Sequence, residues 1–204
     1  MSKKTLLITG TSGFIGYNFL KYILTKDYYT IDILREKNKK NPKLKKLKKK
    51  YPKNYKSIFF SNNHQLERKI KKLKINYFIN FATLYKNNHV YNDIFNFIKS
   101  NILFPTLIYD LISQKATKVI NFGSMMQHKS SEKFESKNLY SATKNAFEMI
   151  SNFYSYKEKN TKFYNLKLYE SFGKNDNRKK LIPTIISNYK TKKTTIISSK
   201  SLEL

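Results

Sequence analysis

Lys4–Leu20 reads KTLLITGTSGFIGYNFL, and the architecture of the chain follows from it. Leu6, Leu7 and Ile8 form a short apolar run of the length a buried parallel strand needs. Gly10, Gly13 and Gly16 then follow at even spacing, and Phe19, Leu20, Ile23 and Leu24 continue at helical spacing. Only five glycines occur in 204 residues, and three of them stand in this turn. A strand, a glycine turn and a helix make a site for phosphate: backbone without Cβ lets a ligand approach, and the new helix offers unpaired N–H groups and a positive dipole end. The turn residues Gly10, Ser12, Gly13, Phe14, Ile15 and Gly16 are therefore candidate dinucleotide contacts. A tight turn that needs glycine for packing alone would show the same residues.

Length and composition bound the rest. A chain of 204 residues has room for one sizeable α/β core, here taken as a single dinucleotide-binding domain over 1–204. It contains no cysteine, which removes disulfide frameworks and thiolate metal sites. His64, His89 and His128 are scattered without ligand spacing, so no metal site is expected. The N-terminus reaches its glycine turn after too few apolar residues for a signal peptide or a membrane span, and a cytoplasmic location is expected.

The formal net charge is +28, with its densest run at Lys37–Lys56, KNKKNPKLKKLKKKYPKNYK. Such a run can attract RNA, DNA or an anionic membrane surface. The chain is also rich in Asn, Ile, Tyr and Phe, residues that A+T-rich codons supply together, so much of the charge reads as a solvated face. A nucleic-acid role lacks a recognisable module, and stability is expected to depend on salt.

Strand patterns recur along the chain: Tyr28–Leu34, Ser57–Phe60, Tyr77–Ala82, Lys118–Phe122, Lys162–Tyr169 and, as a seventh, Thr194–Ile197. Between them lie a short helix in the lysine-rich segment, Gln65–Leu73, Tyr91–Ser113 with a bend at Pro105, and Asn138–Tyr156. The alternation predicts a Rossmann-like, doubly wound parallel sheet of about six or seven strands with helices on both faces. Its ligands would bind at the C-terminal ends of the strands. The second strand ends in Leu34-Arg35-Glu36, with Asp32 still inside it. An arginine at that end favours a 2′-phosphate, which leans the reading to NADP over NAD.

Asn138–Lys144, NLYSATK, carries the chemistry. Tyr140 and Lys144 are four residues apart and share one face of a helix. A tyrosine titrates near 10, and a neighbouring ammonium favours its phenolate. Upstream, Ser124 follows the fifth strand, where a hydroxyl can hold a carbonyl against the tyrosine.

Together, TGTSGFIG, the strand-end Ser124 and Tyr140-x-x-x-Lys144 resemble the extended short-chain dehydrogenase/reductases, the NAD-dependent epimerase/dehydratase proteins. The resemblance extends to Asn80-Phe81-Ala82 as a cofactor wall, to Asn101 in the central helix and to Lys167–Pro183, KLYESFGKNDNRKKLIP. It implies an NAD- or NADP-dependent oxidoreductase or epimerase of a nucleotide sugar. Tyr140 would be the acid/base, Lys144 its partner and a ribose ligand, and Ser124 the carbonyl-holding hydroxyl. Arg35 and the short gap from Ser124 to Tyr140 most resemble reductases of CDP-4-keto-sugars. Relatives also pair as homodimers through helices equivalent to 91–113 and 141–154.

Several departures stand beside the resemblance. Ser61-Asn62-Asn63 replaces an adenine-contacting acid, Glu170 a substrate-contacting Asn, and Phe172-Gly173-Lys174 a Tyr-Gly-Pro. Family members continue past the position of Leu204 into a substrate domain, which is expected to be missing from this chain. Two other classes compete: an inactive or truncated dinucleotide-binding protein of the same fold, and a basic nucleic-acid-binding protein.

Overall fold

The computed structural model describes residues 3–128, 135–174, 176, 178 and 180–194. Its described part divides into two compact units, Met1–Tyr169 and Glu170–Leu204.

The first unit is a six-stranded sheet in the order β3-β2-β1-β4-β5-β6, with every neighbouring pair parallel. The strands are β1 (Lys4–Thr9), β2 (Tyr28–Arg35), β3 (Tyr55–Phe60), β4 (Tyr77–Asn80), β5 (Lys118–Ser124) and β6 (Lys162–Leu168). The helices are α1 (Phe14–Ile23), α2 (Pro42–Lys50), α3 (Asn63–Lys71), α4 (Ile94–Ile98), α5 (Phe104–Ile112) and α6 (Leu139–Lys157). Strand order reverses between β1 and β4, and the crevice beyond that switch point is where such sheets take their ligands.

Neighbouring strand residues point to opposite faces, so each apolar run feeds two cores. Leu6, Leu34 and Ile79 join Leu20 and Ile23 of α1 and Leu44 and Leu47 of α2. Leu7, Ile33 and Phe78 join Leu66 and Ile70 of α3, Ile108, Tyr109 and Ile112 of α5, and Phe147 and Tyr154 of α6. Full burial of each such side chain stabilises by about 1.5–3 kcal/mol, which is why the strands are continuous apolar runs. The lysine-rich segment follows the same rule: α2 buries Leu44 and Leu47 and leaves its lysines exposed, with Asn41 capping it through the N–H groups of Lys43 and Leu44.

The structure differs from the expected elements at several points. The stretch 91–113 is not one helix: a π-helical turn, Lys99–Leu103, separates α4 from α5. Pro105 stands in the first turn of α5 and has no N–H to donate, so the turn ahead of it widens. Strand β4 ends at Asn80, while the next amide, Phe81 N–H, still donates to Thr9 O at 3.1 Å. Strand β5 runs on to Ser124, so the candidate hydroxyl is the last residue of the strand. Of the expected seventh strand, Thr194–Ile197, residues 195–197 lie outside the described residues.

The second unit contains α7 (Leu181–Lys190), a helix the sequence reading did not predict. Before it, Arg178 grips both oxygens of Asp176, at 2.7 and 2.6 Å, and the Ser171 carbonyl at 2.6 Å. This forked pairing holds the Asp176 carboxyl below the usual carboxylate range.

Candidate functional site

The glycine turn is shaped by two close approaches. Gly10 has φ +77°, and a Cβ there would lie 2.3 Å from the Phe81 carbonyl carbon and 2.4 Å from Ala82 N. At Gly16 a Cβ would lie 2.4 Å from the Gly10 carbonyl oxygen, so α1 packs directly onto the turn that begins it. Gly13 is different: its Cβ would meet nothing nearer than the Gly10 oxygen at 3.4 Å, an ordinary contact. The protein's own packing does not require glycine at 13. Gly13 is also the N-cap of α1, no side chain caps that helix, and its first turn holds no acid. Open space before an uncapped helix start fits a phosphate group. Ser12 and Gly13 are exposed there, with Phe14 and Ile15 half-buried behind them.

The wall opposite the turn is the end of β4. Asn80 is buried and turns inward, accepting from the Thr9 hydroxyl at 2.6 Å and from Ala82 N–H at 3.2 Å, and donating to Asn121 at 3.0 Å. Its side chain fixes the wall, and the backbone of Phe81 and Ala82 forms it. The Phe81 ring packs between Phe19 of α1 (5.2 Å) and Phe122 of β5 (4.4 Å). Asn101, in the π-helical turn, is equally committed: it accepts from Leu84 N–H (2.7 Å) and the Thr83 hydroxyl (3.1 Å), and donates to Leu84 O (3.0 Å) and the Thr143 hydroxyl (2.9 Å). It ties the loop after β4 to α6, close to Lys144.

Helix α6 carries Tyr140 and Lys144 in its first two turns, started by a reciprocal cap between Asn138 and Ser141. Both side chains are buried. Burial raises the Tyr140 phenol above the usual tyrosine range, the hydroxyls of Ser124 and Thr83 pull it back down, and the Tyr85 ring, edge-on at 4.9 Å, adds a small push upward. Lys144 Nζ donates to the Phe122 carbonyl at 2.9 Å, and burial lowers its ammonium to about 8. Beside the lysine that helical spacing pairs with Tyr140, the structure sets two hydroxyls that act on the phenol, and one N–H of the Lys144 ammonium is tied to the end of β5.

Ser124 is placed by a residue the sequence reading missed. Gln127 is fully buried; its Oε1 accepts from Ser124 N–H at 2.8 Å, and its Nε2 donates to Asn145 (2.5 Å) and Glu148 (2.7 Å) of α6. The signal was present, since Ser124-x-x-Gln127 is a capping-box spacing. Thr83, Thr11 and Tyr55 were also missed, and Asp32 was noted only as an acid inside the apolar strand YYTIDILR, with no role.

At the far end of the crevice Arg35 is exposed and donates to the Ser100 hydroxyl at 3.0 Å. Asn62, in the Ser61-Asn62-Asn63 stretch after β3, caps α3 through Gln65 N–H at 2.9 Å. Among the described residues no group of three or more His, Cys, Asp or Glu side chains stands close enough to hold a metal ion, and no helix is long and apolar enough to cross a membrane.

A parallel sheet in this order, with a glycine turn opening at its switch point, defines the dinucleotide-binding class of α/β proteins. The chain belongs to the NAD dependent epimerase/dehydratase family, whose model matches residues 6–203. Among solved structures it is similar to UDP-glucuronic acid 4-epimerase from Bacillus cereus in complex with NAD (TM-score 0.72, 16% identity, 93% of this chain and 64% of that one). It is similar too to dTDP-glucose 4,6-dehydratase from Bacillus anthracis in complex with NAD (TM-score 0.72, 21% identity, 93% and 62%). A third likeness is to the UDP-Glc/GlcNAc 4-epimerase of Campylobacter jejuni (TM-score 0.69, 16% identity, 80% and 53%). At these identities the likeness is one of fold, and the chain spans about half to two thirds of those proteins. No curated protein matches the sequence.

Proposed function

We propose that this chain is the dinucleotide-binding domain of an oxidoreductase or epimerase acting on a nucleotide-activated sugar, with Tyr140 as its acid/base. The observation that carries the reading is convergence. The glycine turn, the Phe81–Ala82 wall, Ser124, Tyr140 and Lys144 all lie at one sheet edge, and Gly13 is left open where no internal contact requires glycine. The turn and the start of α1 would hold the pyrophosphate of NAD or NADP, and Lys144 would reach its ribose.

A bound nicotinamide supplies or accepts the hydride. The chain's residues handle the proton. In the direction of reduction, Tyr140 Oη gives its proton to the sugar's carbonyl oxygen, which the Ser124 hydroxyl holds in place. In the direction of oxidation, the phenolate takes the proton back from the sugar hydroxyl. Tyr140 is raised in the structure by burial, so the hydroxyls of Ser124 and Thr83 are what bring it toward use. Arg35, an exposed cation at the end of β2, supports NADP over NAD, since a 2′-phosphate would lie at that strand end.

Fluorescence titration of the 204-residue chain with NADPH and NADH tests the reading. Saturable binding of either is expected, retained in Tyr140→Phe, while the same substitution removes turnover of a nucleotide sugar by the whole protein. A folded chain that binds neither dinucleotide refutes it. A homodimer belongs to the same proposal: Tyr91, Phe95, Met149, Phe153 and Tyr156 are exposed on or beside α4 and α6, and a second copy burying them would double the mass seen by light scattering.

A further inference from the structure

Beneath the glycine turn lies a carboxylate that the reading above does not use. Asp32 is fully buried in β2. Its Oδ2 accepts from the Thr11 hydroxyl and, at 2.8 Å, from the Tyr55 hydroxyl, while Oδ1 has no partner among the described residues. Ile8 of β1 and Ser57 of β3 stand opposite it in register. Tyr55 and Leu34 belong to the apolar cluster with Leu20 of α1 and Leu44 and Leu47 of α2. The lysines of those helices, Lys21, Lys43, Lys45, Lys46, Lys48, Lys49 and Lys50, are exposed, and the groups acting on Asp32 are the two hydroxyls and no cation. Its neighbour Tyr55 is itself raised by burial and by Asp32, so it stays a neutral donor.

A carboxylate with two hydroxyl donors and no cation keeps most of its desolvation cost. Burial accordingly raises Asp32 to about 7, the two hydroxyls opposing it. Its position gives the proton a consequence. Thr11 directly follows Gly10, and a Cβ on Gly16 would come within 3.1 Å of the Thr11 Cα, so Asp32 grips the turn at the point where α1 packs onto it. A pyrophosphate held by that turn brings negative charge toward a carboxylate in a poorly screened interior. The neutral carboxyl still accepts from Thr11 and removes the repulsion.

We propose that Asp32 is a positioning residue for the dinucleotide turn and takes up a proton when a dinucleotide binds there. The proposal rests on the turn being the dinucleotide site. Linkage is reciprocal: protonated Asp32 strengthens dinucleotide binding by the factor by which the dinucleotide strengthens protonation, roughly tenfold.

Calorimetric titration with NADH, in buffers of different ionisation enthalpy, reads the proton directly. NADH is chosen because it lacks the phosphate monoester of NADPH, which itself titrates near about 6. At pH 7.5 we expect uptake of about half a proton per NADH, falling toward none at pH 5.5, and a Kd roughly sevenfold weaker at pH 8.5 than at pH 6. Asp32→Asn should abolish the uptake and flatten the pH dependence. NADH binding without uptake at pH 7.5, or uptake unchanged in Asp32→Asn, overturns the proposal while sparing the proposed function. Absence of binding by either dinucleotide at every pH overturns both. If NADPH alone binds, the difference between the chain and Asp32→Asn cancels the 2′-phosphate's share. Should Asp32→Asn fail to fold, the contrast between pH 7.5 and pH 5.5 in the unaltered chain decides.

Discussion

The two halves of the sheet edge are built by opposite means. On the β1–β2 side, shape comes from missing side chains: Gly10 and Gly16 let backbone meet backbone at distances that no Cβ permits. On the β5–α6 side, shape comes from side-chain hydrogen bonds: Gln127 fixes Ser124, Asn101 fixes the loop bearing Thr83, and Asn138 starts the helix bearing Tyr140. A glycine turn tolerates no added atom but needs no partner. A polar network tolerates small shifts but fails when one member is removed. Each half should therefore break under a different kind of substitution.

The largest effect belongs to Gly10→Ala. It combines a positive φ with a 2.3 Å collision against the backbone of Phe81, which cannot move without pulling β4 from β1. We expect a loss of about 3 kcal/mol or more, roughly 6–12 °C in melting temperature, or no soluble chain. Gly13→Ala is the control, since its Cβ would have an ordinary 3.4 Å contact. Its melting temperature should move by about 2 °C at most while dinucleotide binding falls sharply. Equal destabilisation by both substitutions would mean that Gly13 is held by packing and not by a ligand.

Next in size is Gln127→Leu, which keeps the volume but strands the Ser124 amide and the acceptors on Asn145 and Glu148. Buried groups left unpaired cost about 1–3 kcal/mol each, and Glu148 keeps Lys167 at 3.5 Å as compensation. A melting loss of roughly 4–8 °C, with far-ultraviolet ellipticity unchanged, would mark a local network. A neutral outcome would mean that Ser124 is placed by β5 pairing alone.

The same contrast explains what could be read in advance. Backbone-built features announce themselves in one dimension, because glycine spacing and apolar runs are local: the sheet, its order class and the turn all followed from Lys4–Leu20 and the strand and helix patterns after it. Networks do not, because their members are far apart in the chain. Thr83 and Asn101 are 18 residues apart, Gln127 and Glu148 21, and Thr11 and Asp32 21. Tyr140 and Lys144 were legible by helical spacing, whereas the commitment of Lys144 to the Phe122 carbonyl depends on how α6 crosses β5. The π-helical turn was half legible: Pro105 signalled an irregularity, which falls one turn earlier than expected.

Each half also buries one group that titrates between pH 6 and 9, and the two should pull stability in opposite directions with pH. Asp32 in the folded chain titrates at about 7, above the carboxylate's usual 3.8. Between those values the unfolded chain has released the proton that the folded one retains, so stability falls as pH rises toward 7. Lys144 titrates at about 8, below the usual 10.5. Between those values the unfolded chain holds the extra proton, and stability rises with pH. From pH 7 to 8 both groups are charged, so chemical-denaturation midpoints should pass through a minimum there. The depth would be on the order of 1–2 kcal/mol on each side. Measurement over pH 5–9.5 stays clear of the half-buried carboxylates Glu67 and Asp93, which are lowered by Lys71 and Lys86, and of the buried Tyr109, which is raised. The variants assign the limbs: Asp32→Asn should flatten the acid side alone, and Lys144→Met the alkaline side alone. A single variant that flattened both would show the two halves to be electrostatically one site.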